Sequence, residues 1–344
     1  MNAISRIWSQ HGLTLGGPVA VVALAAVAST RFSQSVELKF QNAFVITTMV
    51  VALYVFSGNS GVVSFGHVSF VAIGAFSAGI FSMDRLQKAA VFKELFPVIK
   101  DTHLGNLTTL ALAAILGALY ALLVGVALVR LSGLSAGIAT FAVLAITRNV
   151  LRNWTKVGPG AKSIPGVQES TRLAQSIAGL VLCIAVAYAY QTSPWGRRLR
   201  ATREDPAAAE GVGIGIHRER LIAFTLSGAM AAFAGALYVH FLGSISSEQV
   251  YLDLTFLMLA MLVVGGIGSL WGAVAGGLSI SFVNTFLAEG EKGMKLARWR
   301  FTLPTSSSAI VLALLMAVVL LTRPKGLTGG REFGPMRRFG PGGC

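Results

Sequence analysis

The chain has 344 residues, of which 54% are hydrophobic and 12% charged, with a mean hydropathy of +0.70 and a formal net charge of +14. That is too apolar for a soluble globule and too long for a single anchor, and windows of roughly nineteen residues repeatedly lack any charge, so the composition describes a polytopic membrane protein. The basic residues sit in short segments between apolar runs with no aromatic-basic motif, which argues against nucleic acid as the partner and fits loop topology and lipid headgroups.

The first element lies near residues 13–30. Arg6 followed by GPVAVVALAAVAST has the small residues and short apolar run of a cleavable signal, but the many spans behind it favour an uncleaved helix. Further runs long enough to cross about 30 Å of hydrocarbon fall near 42–58, 60–82, 106–130, 134–150, 173–192, 221–243, 253–268, 270–288 and 306–322. The expected fold is therefore an all-α integral membrane bundle of about ten transmembrane or re-entrant helices.

Two of the runs are interrupted. In 60–82, Gly, Ser and His break the apolar pattern as in a re-entrant segment, and GGIGSLWG (265–272) is tight enough that one of its two flanking helices need not fully cross. No loop holds an apolar core of its own, so residues 1–322 are expected to form one transmembrane domain. Residues 323–344, rich in Gly, Pro and Arg, read as a disordered cytoplasmic tail.

With ten crossings the N-terminus, the loop 196–220 and the tail share one side. Arg197, Arg198, Arg200, Arg203, Arg218 and Arg220 in the loop mark that side as cytoplasmic, although the opposite loops together carry a similar number of Lys and Arg. Within the loop, Asp205 before Pro206 is a helix start: the carboxylate accepts orphan amide hydrogens and the proline ring presets the first helical residue. Ala207, Ala208 and Ala209 propagate the helix, and Gly211 and Gly213 offer stops, predicting about two turns outside the bilayer. So short a helix needs docking to persist, and its small residues suit a cleft on a partner protein. The alternative is an ordinary charged loop held by headgroups.

The run RATREDPAAAEGVGI (200–214), followed by LIAFTLSGAMAAFAGALY (221–238), closely resembles the cytoplasmic loop and next helix of LivM-type permeases. These are membrane subunits of ATP-binding cassette (ABC) importers for branched-chain amino acids. SGNSGVVSFGHVSFVAIGAF (57–76), GPGAKSIPG (158–166), VVGGIGSLWGAVAG (263–276) and RPKGL (323–327) fall in that family's order, so the resemblance covers most of the chain.

The resemblance implies that the loop holds a coupling helix seated in a groove of an ATPase subunit, with Glu204, Asp205, Ala208, Ala209, Glu210 and Gly213 in the motif and Arg203 just ahead of it. On this reading the loop's charge faces the partner. It also implies two ABC ATPase subunits, a second homologous permease and a periplasmic binding protein as partners, in the bacterial inner membrane. ATP would be used by the ATPase subunits, with no cofactor on this chain. Leucine, isoleucine and valine are the expected cargo, with urea, short amides or other amino acids as the alternative.

Gly61, Ser64, Phe65, Gly66, His67 and Ser69, with Gly265, Gly266 and Gly268, are candidates to line the translocation pathway. Polar groups at membrane depth face a water-filled path or hold helices together, and the sequence leaves both open for His67. No catalytic or metal site is expected. GLSAG (133–137) fits a nucleophile elbow but opens an apolar helix; GPGAKS (158–163) lacks phosphate-loop spacing; GVGIG (211–215) lacks the last glycine of a dinucleotide fingerprint. Cys183 and Cys344 match no metal spacing. A secondary transporter would place carboxylates within its spans, whereas every Asp and Glu here lies in a loop or at a helix end. The glycine-broken polar spans likewise argue against a membrane scaffold.

Overall fold

The computed structural model describes residues 3–29, 31, 33–92, 95–156, 160, 163–291, 294–296, 299–301, 304, 307–323 and 326–329. In chain order the helices are α1 (Ala3–Ser29), α2 (Gln34–Ser60), α3 (His67–Ser82), α4 (Arg85–Val91), α5 (Pro97–Asp101), α6 (Asn106–Leu128), α7 (Gly133–Asn153), α8 (Leu173–Thr192), α9 (Pro194–Glu204), α10 (Pro206–Gly211), α11 (Ile216–Leu242), α12 (Leu252–Gly265), α13 (Leu270–Glu291) and α14 (Ser307–Thr322). An antiparallel pair, β1 (Met294–Leu296) and β2 (Trp299–Phe301), joins α13 to α14 with Lys295 opposite Arg300.

Helices occupy all ten predicted runs. By length and composition α2, α6, α7, α8, α11 and α13 are each long and apolar enough to cross a membrane. Helices α3 and α4 pass the same test together but bend by 119° between them, and Leu15–Ser29, Leu252–Gly265 and Ser307–Val319 are shorter apolar stretches. Helices are what such runs must form, because lipid offers no partner to an unpaired backbone group.

The 60–82 run is not one element. Helix α2 continues through Ser60, residues 61–66 leave the helical path, and α3 starts at His67. Gly61 ends α2 in the left-handed region at φ 73°, with its amide donating to Ser57 O, a conformation that favours glycine.

Small residues bring the central helices to backbone contact. A Cβ at Gly74 of α3 would collide with the Ala232 carbonyl of α11, one at Gly235 with the Val71 carbonyl, and one at Gly117 of α6 with Ala232. Helix α11 is thereby held between α3 and α6 at a spacing only glycine permits. Thr109 meets His240 near one end of α6, and Val129 just past the other end meets His217, so α6 and α11 are antiparallel.

These contacts sort the bundle into two ends. One gathers the end of α2, the starts of α3 and α11, and the α12–α13 turn. The other carries Gln41 donating to Thr171 O, the paired backbones of Ile164 and Ile245, and the Arg148–Glu248 ion pair at 2.5 Å. In the 158–166 stretch, residues 158, 159, 161 and 162 lie outside the described residues.

Candidate functional site

Helix α10 spans Pro206–Gly211, and Asp205 is its N-cap: Oδ1 accepts from Ala208 N at 3.0 Å. At the other end Gly213 sits at φ 83°, its amide donating to Glu210 O at 2.9 Å, while Ile214 N donates to Ala209 O at 3.0 Å. That double bond pattern around a left-handed glycine is a Schellman stop. Ala209 alone of the helix is buried; Glu204, Asp205, Ala208, Glu210 and Gly213 are exposed, and so is Val212 at 77%. The helix and its flanks thus present Glu210, the capping Asp205, Glu204 at the end of the preceding helix, and a methyl-lined ridge outward.

The stretch before it is a second helix rather than the loop the sequence suggests. Helix α9 begins at Pro194, with Ser193 Oγ accepting from Gly196 N at 3.2 Å, and helix α11 already starts at Ile216. The Ser-Pro pair is the same cap-and-proline signal that marks α10, and it is the local cue that identifies α9. Leu199 and Thr202 bury one side of α9.

Three arginines of α9 also make contacts within the chain. Arg198 lies 3.7 Å from Glu219 in the first turn of α11, Arg200 donates to the Gln191 carbonyl at the end of α8, and Arg203 Nη1 donates to Gly58 O at the end of α2 at 2.7 Å. Two cations therefore satisfy orphan carbonyls at helix C-termini, where the macrodipole is negative, and the third meets an acid at a helix N-terminus. Gln191 extends the contact inward, its Oε1 accepting from Tyr54 OH at 2.7 Å. Tyr54, Gly58, Gln191 and Glu219 carry no sequence signal for this role, since their partners lie in other helices.

Of the predicted pathway residues, Gly61 is exposed and Phe65 half-buried, while Ser64, Gly66, His67 and Ser69 are buried. Ser69 Oγ donates to Gly66 O at 2.5 Å, and Phe65 N donates to Thr140 Oγ1 at 3.2 Å. His67 Nε2 lies 2.6 Å from Ser227 Oγ, which itself donates to Ala52 O at 2.6 Å. The serine has one proton, so the imidazole donates from Nε2. Phe56, Phe70 and Phe224 enclose the ring at centroid distances of 5.5–5.7 Å. In this arrangement His67 ties α3 to α11 and, through Ser227, to α2.

The second glycine cluster divides in two. Gly265 packs α12 on α13, where a Cβ would strike the Gly272 carbonyl, whereas Gly266, at φ 121°, opens the turn that contains Gly268. Beyond α14, Leu327 N donates to Val264 O at 2.8 Å and Thr328 N to Gly265 O at 3.1 Å. Residues 326–329 are thus held against this turn rather than disordered; Pro324, Lys325 and 330–344 lie outside the described residues. At the opposite end a cleft of about 680 Å³ between α2, α12, α13 and α14 is lined by Asn42, Asp253, Asn284 and Glu291, with none of the predicted pathway residues. Among the described residues no cluster of His, Cys, Asp or Glu has the makings of a metal site.

The apolar helices describe a multi-pass α-helical membrane protein. Residues 38–320 match the family model for the branched-chain amino acid transport system / permease component, and the chain belongs to that family. It is 25% identical over 310 residues to the high-affinity branched-chain amino acid transport system permease protein LivM of Escherichia coli (strain K12), covering 80% of this chain and 65% of that protein. It is 33% identical over 172 residues to LivH of the same strain, covering 49% of this chain and 50% of LivH. It is 32% identical over 197 residues to the autoinducer 2 import system permease protein LsrC of Enterobacter sp. (strain 638), covering 53% and 54%. The chain thus spans just under two thirds of the length of the LivM relative. No solved structure matches it.

Proposed function

We propose that this chain is a permease subunit of an ABC importer that carries branched-chain amino acids across the bacterial inner membrane. On this reading the chain crosses ten times, with α9, α10 and both ends of the described chain on the cytoplasmic side. Two ATPase subunits hydrolyse the ATP, a second homologous permease completes the pathway, and a periplasmic binding protein delivers cargo. The single observation that carries this reading is α10, a helix closed by its own cap and Schellman stop that turns Ala208 and Glu210 away from the bundle, beside the exposed Glu204 at the end of α9. A six-residue helix is marginal alone, and one presented in this way is suited to a groove on another protein. Closure of the ATPases displaces α10, and the bundle alternates between inward- and outward-facing states.

The relatives named for autoinducer import leave a second cargo class in view, alongside urea and short amides. The deciding experiment is uptake of labelled leucine, with urea and autoinducer 2 in parallel, into vesicles holding this chain with its co-purifying subunits. Leucine uptake that requires ATP supports mechanism and cargo. ATP-dependent uptake of another solute alone keeps the mechanism and replaces the cargo, and ion-driven uptake without ATP refutes the reading.

A further inference from the structure

Gly58 is where the α9–α10 segment meets both interrupted segments of the bundle. It lies in the last turn of α2, so its carbonyl has no amide donor in its own helix, and the Arg203 guanidinium fills that place at 2.7 Å. On another side, a Cβ at Gly58 would come within 2.7 Å of the Ile267 carbonyl oxygen, so the 266–269 turn rests on the backbone at this point. The stem of Arg203 lies against one side of Gly61, with Cγ 3.0 Å and Cδ 3.2 Å from where a Cβ would stand. Gly61 is the residue at which α2 ends and the 61–66 stretch begins.

The other two anchors of α9 differ in what they hold. Arg198 reaches the first turn of α11 and Arg200 the last turn of α8, both described as continuous helices. Arg203 also reaches past its helix end, its stem lying against Gly61 at the start of the 61–66 stretch while the Gly58 it holds packs on Ile267 of the 266–269 turn, and stretches without a helical hydrogen-bond ladder yield first to a displacement. Two residues further on, Asp205 caps α10. The backbone from 203 to 205 thus joins an inward hydrogen bond to an outward helix start.

Resting on the proposed importer function, we infer that Arg203 is the positioning residue that conveys displacement of α10 to the 61–66 and 266–269 segments through Gly58 and Gly61, and that it does not serve as a contact for the ATPase. A long cationic side chain suits this task because its charged head donates to a carbonyl while its stem packs on backbone. Arg203 is a link between the surface the partner moves and the parts of the bundle able to change shape.

The test uses the whole complex in liposomes, with ATP hydrolysed and labelled leucine taken up measured in the same vesicles. Arg203→Lys keeps the stem and a donor, Arg203→Met keeps only the stem, and Arg203→Ala keeps neither. Lysine is expected to retain uptake per ATP within about twofold of wild type, while methionine and alanine lower it by about tenfold or more, the equivalent of one charge-assisted hydrogen bond. ATP hydrolysis and co-purification of the ATPase are expected to persist in all three. Arg200→Met, which releases the unbroken α8, lowers the melting temperature but leaves uptake per ATP unchanged. Should the alanine variant fail to assemble, the methionine variant carries the test.

Wild-type uptake per ATP in Arg203→Met overturns the inference and leaves the importer reading standing. Loss of the ATPase from Arg203→Met also overturns it, by making the residue a docking contact. Absence of ATP-dependent uptake of any tested solute in wild type refutes the importer reading itself.

Discussion

Replacing Gly235 with alanine places a methyl group where α3 already stands. The new Cβ would run into the Val71 carbonyl oxygen, with the Val71 carbonyl carbon at 2.9 Å and its Cα at 3.0 Å. Carbon atoms rest at about 3.5–4.0 Å, so the two helices must part by roughly 0.5–1 Å. The obstacle is helix backbone rather than a side chain free to swing aside. Nor can α11 retreat, because a Cβ at Gly117 of α6 would stand 2.8 Å from the Gly228 carbonyl oxygen on its other flank. Overpacking costs about 1–3 kcal/mol, and these constraints put Gly235→Ala in the upper half of that range.

Gly74→Ala makes the same demand from the other side of the crossing, against the Ala232 backbone. Parting α3 from α11 once relieves both clashes, so the double variant is expected to lose little more than either single one, a coupling of about 1–3 kcal/mol. The assay is reversible unfolding of the purified chain in mixed micelles for wild type, both single variants and the double. Wild-type stability in Gly235→Ala would refute the close-approach argument, and simple addition in the double variant would refute the shared-separation argument.

Asp205→Ala removes the acceptor 3.0 Å from Ala208 N and is expected to destabilise α10 by about 1 kcal/mol, read as faster amide exchange at Ala208 and weaker retention of the ATPase, with Asp205→Asn restoring most of both. Tyr54→Phe leaves Gln191 Oε1 in the interior without its 2.7 Å donor and is expected to cost about 1–3 kcal/mol in the same unfolding assay. Adding Gln191→Leu removes the orphaned acceptor and is expected to recover much of that loss; a double variant as unstable as the sum of its parts would refute the pairing.

The helical runs were legible because hydropathy over some twenty residues is a local property, and in lipid it leaves the backbone one solution. The ends of α10 were legible for a like reason: Asp205-Pro206 and Gly213 act through neighbours within a few residues. Ser193-Pro194 carries the same signal for α9, hidden in a stretch that reads as loop because of its charge.

What the sequence by itself determined, then, were the apolar spans, the presence of interruptions within 60–82 and at 265–272, and the caps of the short helix between α9 and α11. Only the tertiary structure decided where the charge of 197–220 points, because the partners of Arg198, Arg200 and Arg203 are helix ends brought together by packing, Gly58 lying 145 residues from Arg203. It likewise decided that His67 meets Ser227 and that Leu327 and Thr328 hold the end of α12. Caps and hydropathy act along the chain, whereas these contacts depend on which helices cross and how closely glycine lets them approach.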